Sequence, residues 1–139
     1  MDIEPVIQRW NLGGSGGLQV PERSSLAGLS TSVLTKLLYC GRGYLIDTVE
    51  RRLGSHVTKD LFGFADLFAI SPNRRPVLIQ TTTASNRASR RGKILASVEA
   101  EICLGFADVA LVTWAERKDG RRVVWDAVEE IYSCSRNAS

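Results

Sequence analysis

The chain has few of the residues that mark secreted, membrane-spanning or zinc-binding proteins. Among its 139 residues are three cysteines and one histidine, and the cysteines have no C-x-x-C spacing. This argues against a disulfide framework or a zinc site and predicts reduced thiols in a cytoplasmic protein. No apolar run approaches the roughly 18 residues that span a bilayer. The N-terminus also lacks the apolar segment typical of a secretory signal.

Acidic residues are missing from one long internal segment. From Leu67 to Val98 the sequence has neither Asp nor Glu, and six cations fall inside: Arg74, Arg75, Arg87, Arg90, Arg91 and Lys93. A segment with charge of one sign is suited to facing phosphates, and a solvated loop and helix face is the alternative. No groove-reading motif is present, so phosphates rather than bases are the predicted contacts. The residues predicted to make them are Arg87, Arg90, Arg91 and Lys59.

Glycine is concentrated near the N-terminus. The stretch "NLGGSGGLQVPERSS" contains four glycines and a proline, which favour a flexible connector. We therefore predict a flexible arm or linker over residues 1–25, one folded domain over 26–132 and a disordered tail over 133–139. Because "GGSGG" is typical of an engineered linker, residues 1–10 are either an appended peptide or a natural arm that reaches a neighbouring subunit.

Apolar periodicity predicts the elements of the folded domain. A helical stripe begins near Ser25 and ends before Gly41. Runs of β-branched and apolar residues predict strands at 44–50, 65–70, 76–82 and 108–114. A second helix is expected after Ser85 or Asn86, with an inner face of Ile94, Leu95, Val98 and Ile102. "KDGR" predicts a hairpin turn into residues 122–132, which form a strand or a strand passing into a short helix.

The predicted order of helix, three strands, helix and strand indicates an α/β fold in which a mixed sheet is flanked by helices. Side chains alternate along a strand, so Gln80 and Thr82 project from the same side. Asp66 begins the preceding strand, and the turn "SPNRR" makes the two strands antiparallel neighbours. Asp66 and Gln80 are therefore predicted ligands of Mg²⁺ or Mn²⁺, which take oxygen ligands, and Thr82 is predicted to add a hydroxyl to the same site. Such a cation can activate water against a phosphodiester.

This arrangement resembles the PD-(D/E)XK nuclease superfamily, which includes type II restriction enzymes, archaeal Holliday junction resolvases and phage-type VRR nucleases. Asp66 matches the aspartate of the motif, and Gln80 matches its Glu or Gln position. The stretch "VLIQTTTASNRASRRGKI" looks like that of small members encoded in phages and prophages. The resemblance covers about residues 25–131. It implies a restriction-endonuclease-like core, metal-dependent hydrolysis of DNA and a homodimer.

One position departs from the motif, because Thr82 stands where the superfamily has lysine. Lysine places a positive charge near the attacking water or the transition state, which Thr cannot do. The resemblance therefore implies a cation that has moved, and Lys93 is our candidate, with Arg87 or Arg90 as substitutes. Glu50 is either an accessory acid, as in many relatives, or a solvated strand end. Asp60 is either a second acid near the metal or a loop residue.

Three functions stay open at this point. The first is an endonuclease or resolvase that hydrolyses DNA, including branched DNA. The second is a catalytically inactive protein on the same scaffold that binds nucleic acid. The third is a module that binds a protein partner, with residues 1–10 as the docking peptide. No membrane partner is expected, and the predicted location is the cytoplasm of a bacterial cell, with a phage gene as one source.

Overall fold

A computed structural model of the protein describes residues 3–14, 26–54 and 58–134. Within these ranges no helix has both the length and the apolar character that crossing a bilayer requires. A 3₁₀ turn, Ala84–Asn86, leads into the second helix. In chain order the elements are β1 (Val6–Leu12), α1 (Thr31–Gly41), β2 (Leu45–Thr48), β3 (Arg51–Arg52), β4 (Thr58–Lys59), β5 (Leu67–Ile70), β6 (Val77–Thr83), α2 (Arg87–Leu95), α3 (Val98–Cys103), β7 (Asp108–Asp119) and β8 (Arg122–Tyr132).

Six strands form one mixed sheet in the order β1-β8-β7-β6-β5-β2, and β3 pairs with β4 in a separate two-stranded ribbon. β6 and β7 are parallel, and the other neighbouring pairs are antiparallel. A parallel pair needs a crossover connection, which α2 and α3 supply. Residues 77–82 and 109–114 of this central pair are buried, as expected of strands covered on both faces.

Helices cover the two faces of the sheet separately. On one face, α1 packs Leu34 and Leu38 into a core that includes Ile79 and Val112. On the other face, Ile94 of α2 and residues of α3 pack with Leu78, Val109 and Leu111. Because strand residues alternate between faces, Gln80 lies on the face of α2 and α3, and its neighbour Thr81 lies on the face of α1.

The first helix begins later than predicted. Ser30 is its N-cap, and the Ser30 hydroxyl accepts a hydrogen bond from the Val33 amide (3.2 Å). Such a cap satisfies an amide that has no partner inside the helix, and this fixes the start of the helix at Thr31 rather than near Ser25. The helix buries Leu34, Thr35, Leu38 and Tyr39.

The general prediction of an α/β fold with a mixed sheet and helices is confirmed, but the predicted order of elements does not match. The sheet has an unpredicted strand, β1, before α1, and the β3–β4 ribbon is inserted between β2 and β5. The strand alternative for residues 122–132 is confirmed, since they pair with β7 along their length through a turn at Gly120.

The second predicted helix is in fact two, and its inner face was wrong at two positions. The helix is interrupted at Ala96 and Ser97, and the Ser97 hydroxyl caps α3 by accepting a hydrogen bond from the Ala100 amide (3.0 Å). Because α3 does not continue the helical rotation of α2, Val98 and Ile102 are exposed, whereas Ala100 and Cys103 are buried. Ile94 does face the core, as predicted.

Part of the predicted N-terminal arm belongs to the sheet. β1 pairs with β8 from Val6 opposite Ile131 to Leu12 opposite Trp125, and Leu12 is fully buried. A flexible arm is therefore the wrong description of residues 6–12, and a docking peptide there would have to leave the sheet. The strand forms because Leu12 and Trp10 bury apolar area against the core on the α1 face. Residues 15–25 and 135–139 lie outside the described ranges.

Candidate functional site

Asp66 is held between two strands of the sheet by its own backbone. It directly precedes β5, its amide donates to the Ile79 carbonyl (2.8 Å), and its carbonyl accepts from the Val49 amide (2.9 Å). The Asp66 carboxylate turns toward β6, where Oδ2 accepts from the Thr81 amide (3.0 Å). The carboxylate thus occupies a defined position at the end of β6, as the sequence pattern predicted.

Gln80 brings a side-chain amide to the same place. It is only 2% exposed, and its Nε2 lies 3.4 Å from both Asp60 Oδ2 and Asp66 Oδ2. Its Oε1 is buried without a hydrogen-bond partner in the described structure. A buried acceptor of this kind costs roughly 1–3 kcal/mol. A half-turn about the last side-chain torsion would present Oε1 to the space now faced by Nε2.

Two further acids complete an acidic cluster. Glu50 follows β2, and Asp60 follows β4. One carboxylate oxygen from each of Glu50, Asp60 and Asp66 lies within 4.8 Å of the other two. Mg²⁺ takes oxygen ligands at about 2.1 Å, so side-chain rotations that bring the three oxygens closer together would let one ion contact all of them. Asp60, which the sequence left open as either a second acid or a loop residue, therefore belongs to the cluster.

The cluster is short of positive charge. Lys93 Nζ lies 3.6 Å from Asp60 Oδ2. Three carboxyl groups and one ammonium give the cluster more acidic than basic groups, and a divalent cation would balance them. Burial is the main cause that raises the pKa of Asp66 to about 7, and proximity to Asp60 and Glu50 adds to it. Carboxylates, an amide oxygen and an excess of acidic groups suit a hard divalent cation.

Thr82, at the position of the motif lysine, takes no part in the acidic cluster. It is mostly buried, and its hydroxyl accepts from Asn86 Nδ2 (3.3 Å) in the turn before α2. This contact joins the end of β6 to the start of the helix. The predicted involvement of Thr82 with the metal ligands thus has no support from its hydrogen bonds.

The predicted phosphate-binding residues separate into two groups. Arg91 forms a bidentate ion pair with the buried Glu130, through Nε (2.7 Å) and Nη2 (2.9 Å). Arg87 donates from Nε to the Thr113 hydroxyl (2.8 Å). The hydrogen bonds of these two arginines to the protein occupy part of their donor groups. Because Arg91 is paired with a buried carboxylate, it is poorly suited to contact a phosphate. Arg90 is half-buried, and Lys59 is exposed beside the acidic cluster.

Sequence reasoning missed a second group of buried polar residues. Glu129 is fully buried on the α1 face, where it accepts from Trp10, Tyr39 and Arg42. Burial, together with the nearby Glu129 carboxylate, raises the pKa of Tyr39 well above its usual value. Two consecutive glutamates inside the apolar strand "VEEIY" were the available signal, because such residues are rarely buried without cationic partners.

Comparisons with known proteins add no family to this geometry. No protein-family model matches the chain, and neither the curated proteins nor the solved structures contain a match. The resemblance to PD-(D/E)XK nucleases therefore stays a prediction from the sequence pattern. Function has to be argued from the side chains around Asp66.

Proposed function

We propose that the protein is a metal-dependent phosphodiesterase that hydrolyses DNA, with Mg²⁺ or Mn²⁺ as its cofactor. The observation that supports this most directly is the convergence of Glu50, Asp60 and Asp66 around the buried amide of Gln80. The orphaned Gln80 Oε1 is the second point, because a cation is the partner that a buried oxygen beside carboxylates can use.

The chemistry of each side chain indicates its role in the proposed hydrolysis. Asp60, Asp66 and Gln80 would hold the cation, with Glu50 as an accessory acid. When bound, the cation supplies Lewis-acid chemistry, lowering the pKa of water and neutralising charge on a phosphate. Lys93 holds a positive charge 3.6 Å from Asp60. It can stabilise negative charge that develops on a phosphoryl oxygen, the role that Thr82 cannot perform.

We also infer a restriction-endonuclease-like core within the sheet. When β1, the β3–β4 ribbon and β8 are set aside, the remaining elements run α1, β2, β5, β6, α2 with α3, and β7. This is the helix, three strands, helix, strand order of the superfamily. The inference rests on element order and on the position of Asp66 beside β6. A homodimer and a phage source stay predictions.

Nicking of a supercoiled plasmid tests the proposed hydrolysis. With Mg²⁺ or Mn²⁺ we expect nicking that EDTA stops, and Asp66→Asn should lower its rate on the order of 10³-fold, since the metal supplies several kcal/mol of charge stabilisation. Asp47→Asn changes an exposed acid on β2 and serves as the matched control. Melting curves establish that both variants fold. Undiminished nicking by Asp66→Asn would refute the assignment.

A second test concerns the displaced cation. Lys93→Gln should slow nicking about 10²-fold while Mn²⁺ binding, measured by calorimetry, is retained, because the residue acts on developing charge and not as a ligand. Lys118→Gln, at an exposed position of β7, is the control. If both lysine variants nick at the wild-type rate, the positive charge at the site comes from another residue.

Binding of nucleic acid without hydrolysis is the second candidate function. It is favoured by one observation: Gln80 Nε2 donates to both Asp60 and Asp66, which partly closes the site in the absence of a cation. A binding protein of this kind would retain DNA in EDTA, lose it steeply with salt, and leave plasmid intact in Mn²⁺. A Mn²⁺-dependent nick excludes this candidate.

A further inference from the structure

A cavity of about 540 Å³ lies beside the acidic cluster. Its lining residues are Arg51, Lys59, Asp60, Leu61, Phe62, Gly63 and Glu99. Asp60 is shared with the acidic cluster, so whatever occupies the cavity lies next to the proposed site of hydrolysis. Its other walls combine an exposed aromatic ring with two cations.

The aromatic ring is held outward by a strained turn. Phe62 is 51% exposed and has φ of +55°, a left-handed conformation that is costly for a bulky residue. The turn is closed by hydrogen bonds from Gly63 to Asp60 (3.1 Å) and from Phe64 to Leu61 (3.2 Å). Phe64, two residues on, is fully buried. The turn therefore places Phe64 in the core and presents Phe62 to the cavity. Asn or Gly at position 62 would adopt the left-handed backbone conformation with less strain.

The two cations stand opposite each other on the ribbon. Arg51 of β3 is the direct cross-strand partner of Lys59 of β4. Like charges in directly opposed positions destabilise an antiparallel pair unless an anion lies between them. Within the described part of the chain, neither residue forms an ion pair, and both line the cavity. This pair is suited to one phosphate.

We propose that this cavity binds an unpaired nucleotide of a DNA strand, with its base stacked on Phe62 and its phosphate between Arg51 and Lys59. The inference rests on the proposed function and specifies its substrate as single-stranded or branched DNA rather than plain duplex. A base that is paired inside a duplex cannot offer its face to a side chain, whereas an unpaired base stacks on an aromatic ring. Glu99, which accepts from the Ser97 hydroxyl (3.3 Å), disfavours a phosphate on its side of the cavity.

Oligonucleotide binding without cleavage tests the cavity separately from hydrolysis. A fluorescein-labelled single strand of mixed sequence and its blunt duplex are titrated by anisotropy with Ca²⁺ in place of Mg²⁺, and again in EDTA, and the DNA is checked for integrity. The wild type should bind the single strand more tightly. Phe62→Leu should weaken single-strand binding about tenfold, and Phe62→Tyr should restore it. Phe106→Leu alters a phenylalanine with 54% exposure outside the cavity and should change nothing.

Two further readouts separate stacking from a structural role of Phe62. A 2-aminopurine base in the strand should be quenched by the wild type and not by Phe62→Leu. Phe62→Asn should weaken binding equally without lowering the melting temperature, because Asn tolerates the left-handed conformation. Arg51→Gln or Lys59→Gln should each reduce the salt slope of single-strand binding by about 0.7, whereas Lys118→Gln should not.

Several outcomes would overturn the cavity assignment. The wild type could bind single strand and duplex equally, or Phe62→Leu could bind the single strand with wild-type affinity. Phe106→Leu could lose as much single-strand affinity as Phe62→Leu, or Phe62→Asn could lower the melting temperature. Failure of plasmid nicking together with these binding results would remove the hydrolytic function and leave the nucleotide subsite intact. Nicking that persists while the Phe62 variants bind normally would remove only the subsite.

Discussion

The carboxylate of Glu129 and the carboxylates of the acidic cluster have different surroundings. Glu129, on the α1 face, is fully buried and receives hydrogen bonds from Trp10 Nε1 (3.1 Å), Arg42 Nη1 (2.9 Å) and the Tyr39 hydroxyl. The acidic cluster around Asp66 combines three carboxylates with one lysine contact at 3.6 Å. The fold gives the Glu129 carboxylate a cation of its own, Arg42, whereas the three carboxyl groups of the acidic cluster have one lysine contact among them.

The surroundings of Arg42 strengthen this difference. Its guanidinium lies over the rings of Trp10 (4.5 Å), Tyr39 (4.8 Å) and Tyr44 (5.5 Å), so the cation that pairs with Glu129 is itself held in place. A polar cluster completed in this way stabilises the fold. A cluster that holds repelling acids and an amide oxygen without a hydrogen-bond partner lowers the stability of the fold. Such a cost is typical of functional sites, where a bound ligand supplies the missing interactions.

Glu129→Gln should have the largest effect on stability. Loss of its charge leaves Arg42 without a counter-ion and weakens three hydrogen bonds, so we expect the free energy of unfolding to fall by about 3 kcal/mol. Glu116→Gln makes the same change at an exposed position of β7 and should have little effect. Denaturant titration measures both. Equal stability of the two variants would show that the cluster around Glu129 is not what stabilises this face.

Gln80→Glu should increase the difference between the Glu129 site and the acidic cluster, because it adds a fourth carboxylate to the acidic cluster. Because charge count tunes the affinity of oxygen sites, we expect Mn²⁺ binding to tighten about tenfold, equivalent to roughly 1.4 kcal/mol, and metal-free stability to fall. Gln8→Glu, at an exposed position of β1, is the matched control. Calorimetric titration with Mn²⁺ measures the affinity, and weaker binding by Gln80→Glu would contradict a ligand role at this position.

The pH dependence of metal-free stability follows from Asp66. Its pKa rises from 3.8 to about 7 on folding, so the folded state holds the proton more tightly. Stability is therefore greatest below the unfolded pKa and falls as pH rises through the folded one. Since the carboxyl is only partly buried and water screens it, we expect a loss on the order of 1 kcal/mol between pH 4 and 8. Denaturant titrations in EDTA measure it.

Two variants check the origin of this pH dependence. Asp66→Asn should abolish it and should be more stable than the wild type at pH 8, while Asp47→Asn should retain it. A wild type that gains stability between pH 5 and pH 7 in EDTA would contradict the raised pKa of Asp66.

The smallest effect is expected on the surface. Arg117 makes a bidentate pair with Asp126 (2.8 and 3.2 Å), and both partners are exposed. Arg91 pairs in the same way with Glu130, which is buried. Thermal melts should show a clear loss for Arg91→Gln, which leaves a buried charge unpaired, and no measurable loss for Arg117→Gln. Equal losses would mean that geometry, and not burial, sets the contribution of these pairs.

Much of the local structure could be predicted from the sequence. The strands β2, β5, β6 and β7 were found from apolar and β-branched runs, and the turn at Asn73 and the hairpin at Gly120 were found from their turn residues. Both of these have positive φ, as such turns require. The errors came where tertiary packing outweighed local composition. β1 was missed because its glycine-rich neighbourhood resembles a linker, whereas pairing with β8 and burial of Leu12 make it a strand.

The candidate site was predicted only in part, for a related reason. Asp66 and Gln80 are linked by one short turn, so alternation along two neighbouring strands sufficed to bring them together. Glu50 joins them through the backbone pairing around Val49, Asp66 and Ile79, and Asp60 joins them through the bridge between Leu61 and Ala65, neither of which the strand pattern revealed. The ion pair of Arg91 with Glu130 depends on the packing of α2 against β6 and β7, which brings Arg91 within reach of β8, and charge counting could not anticipate it.

Local chemistry in the chain was enough to specify the strands β2, β5, β6 and β7, the turns at Asn73 and Gly120, and the meeting of one acid with one amide. These features depend on neighbours a few residues apart. Which acids are neutralised and which are left open is a property of residues far apart in the chain. The partners of Glu129 lie 87 to 119 residues away, so its state exists only after the sheet and α1 have assembled.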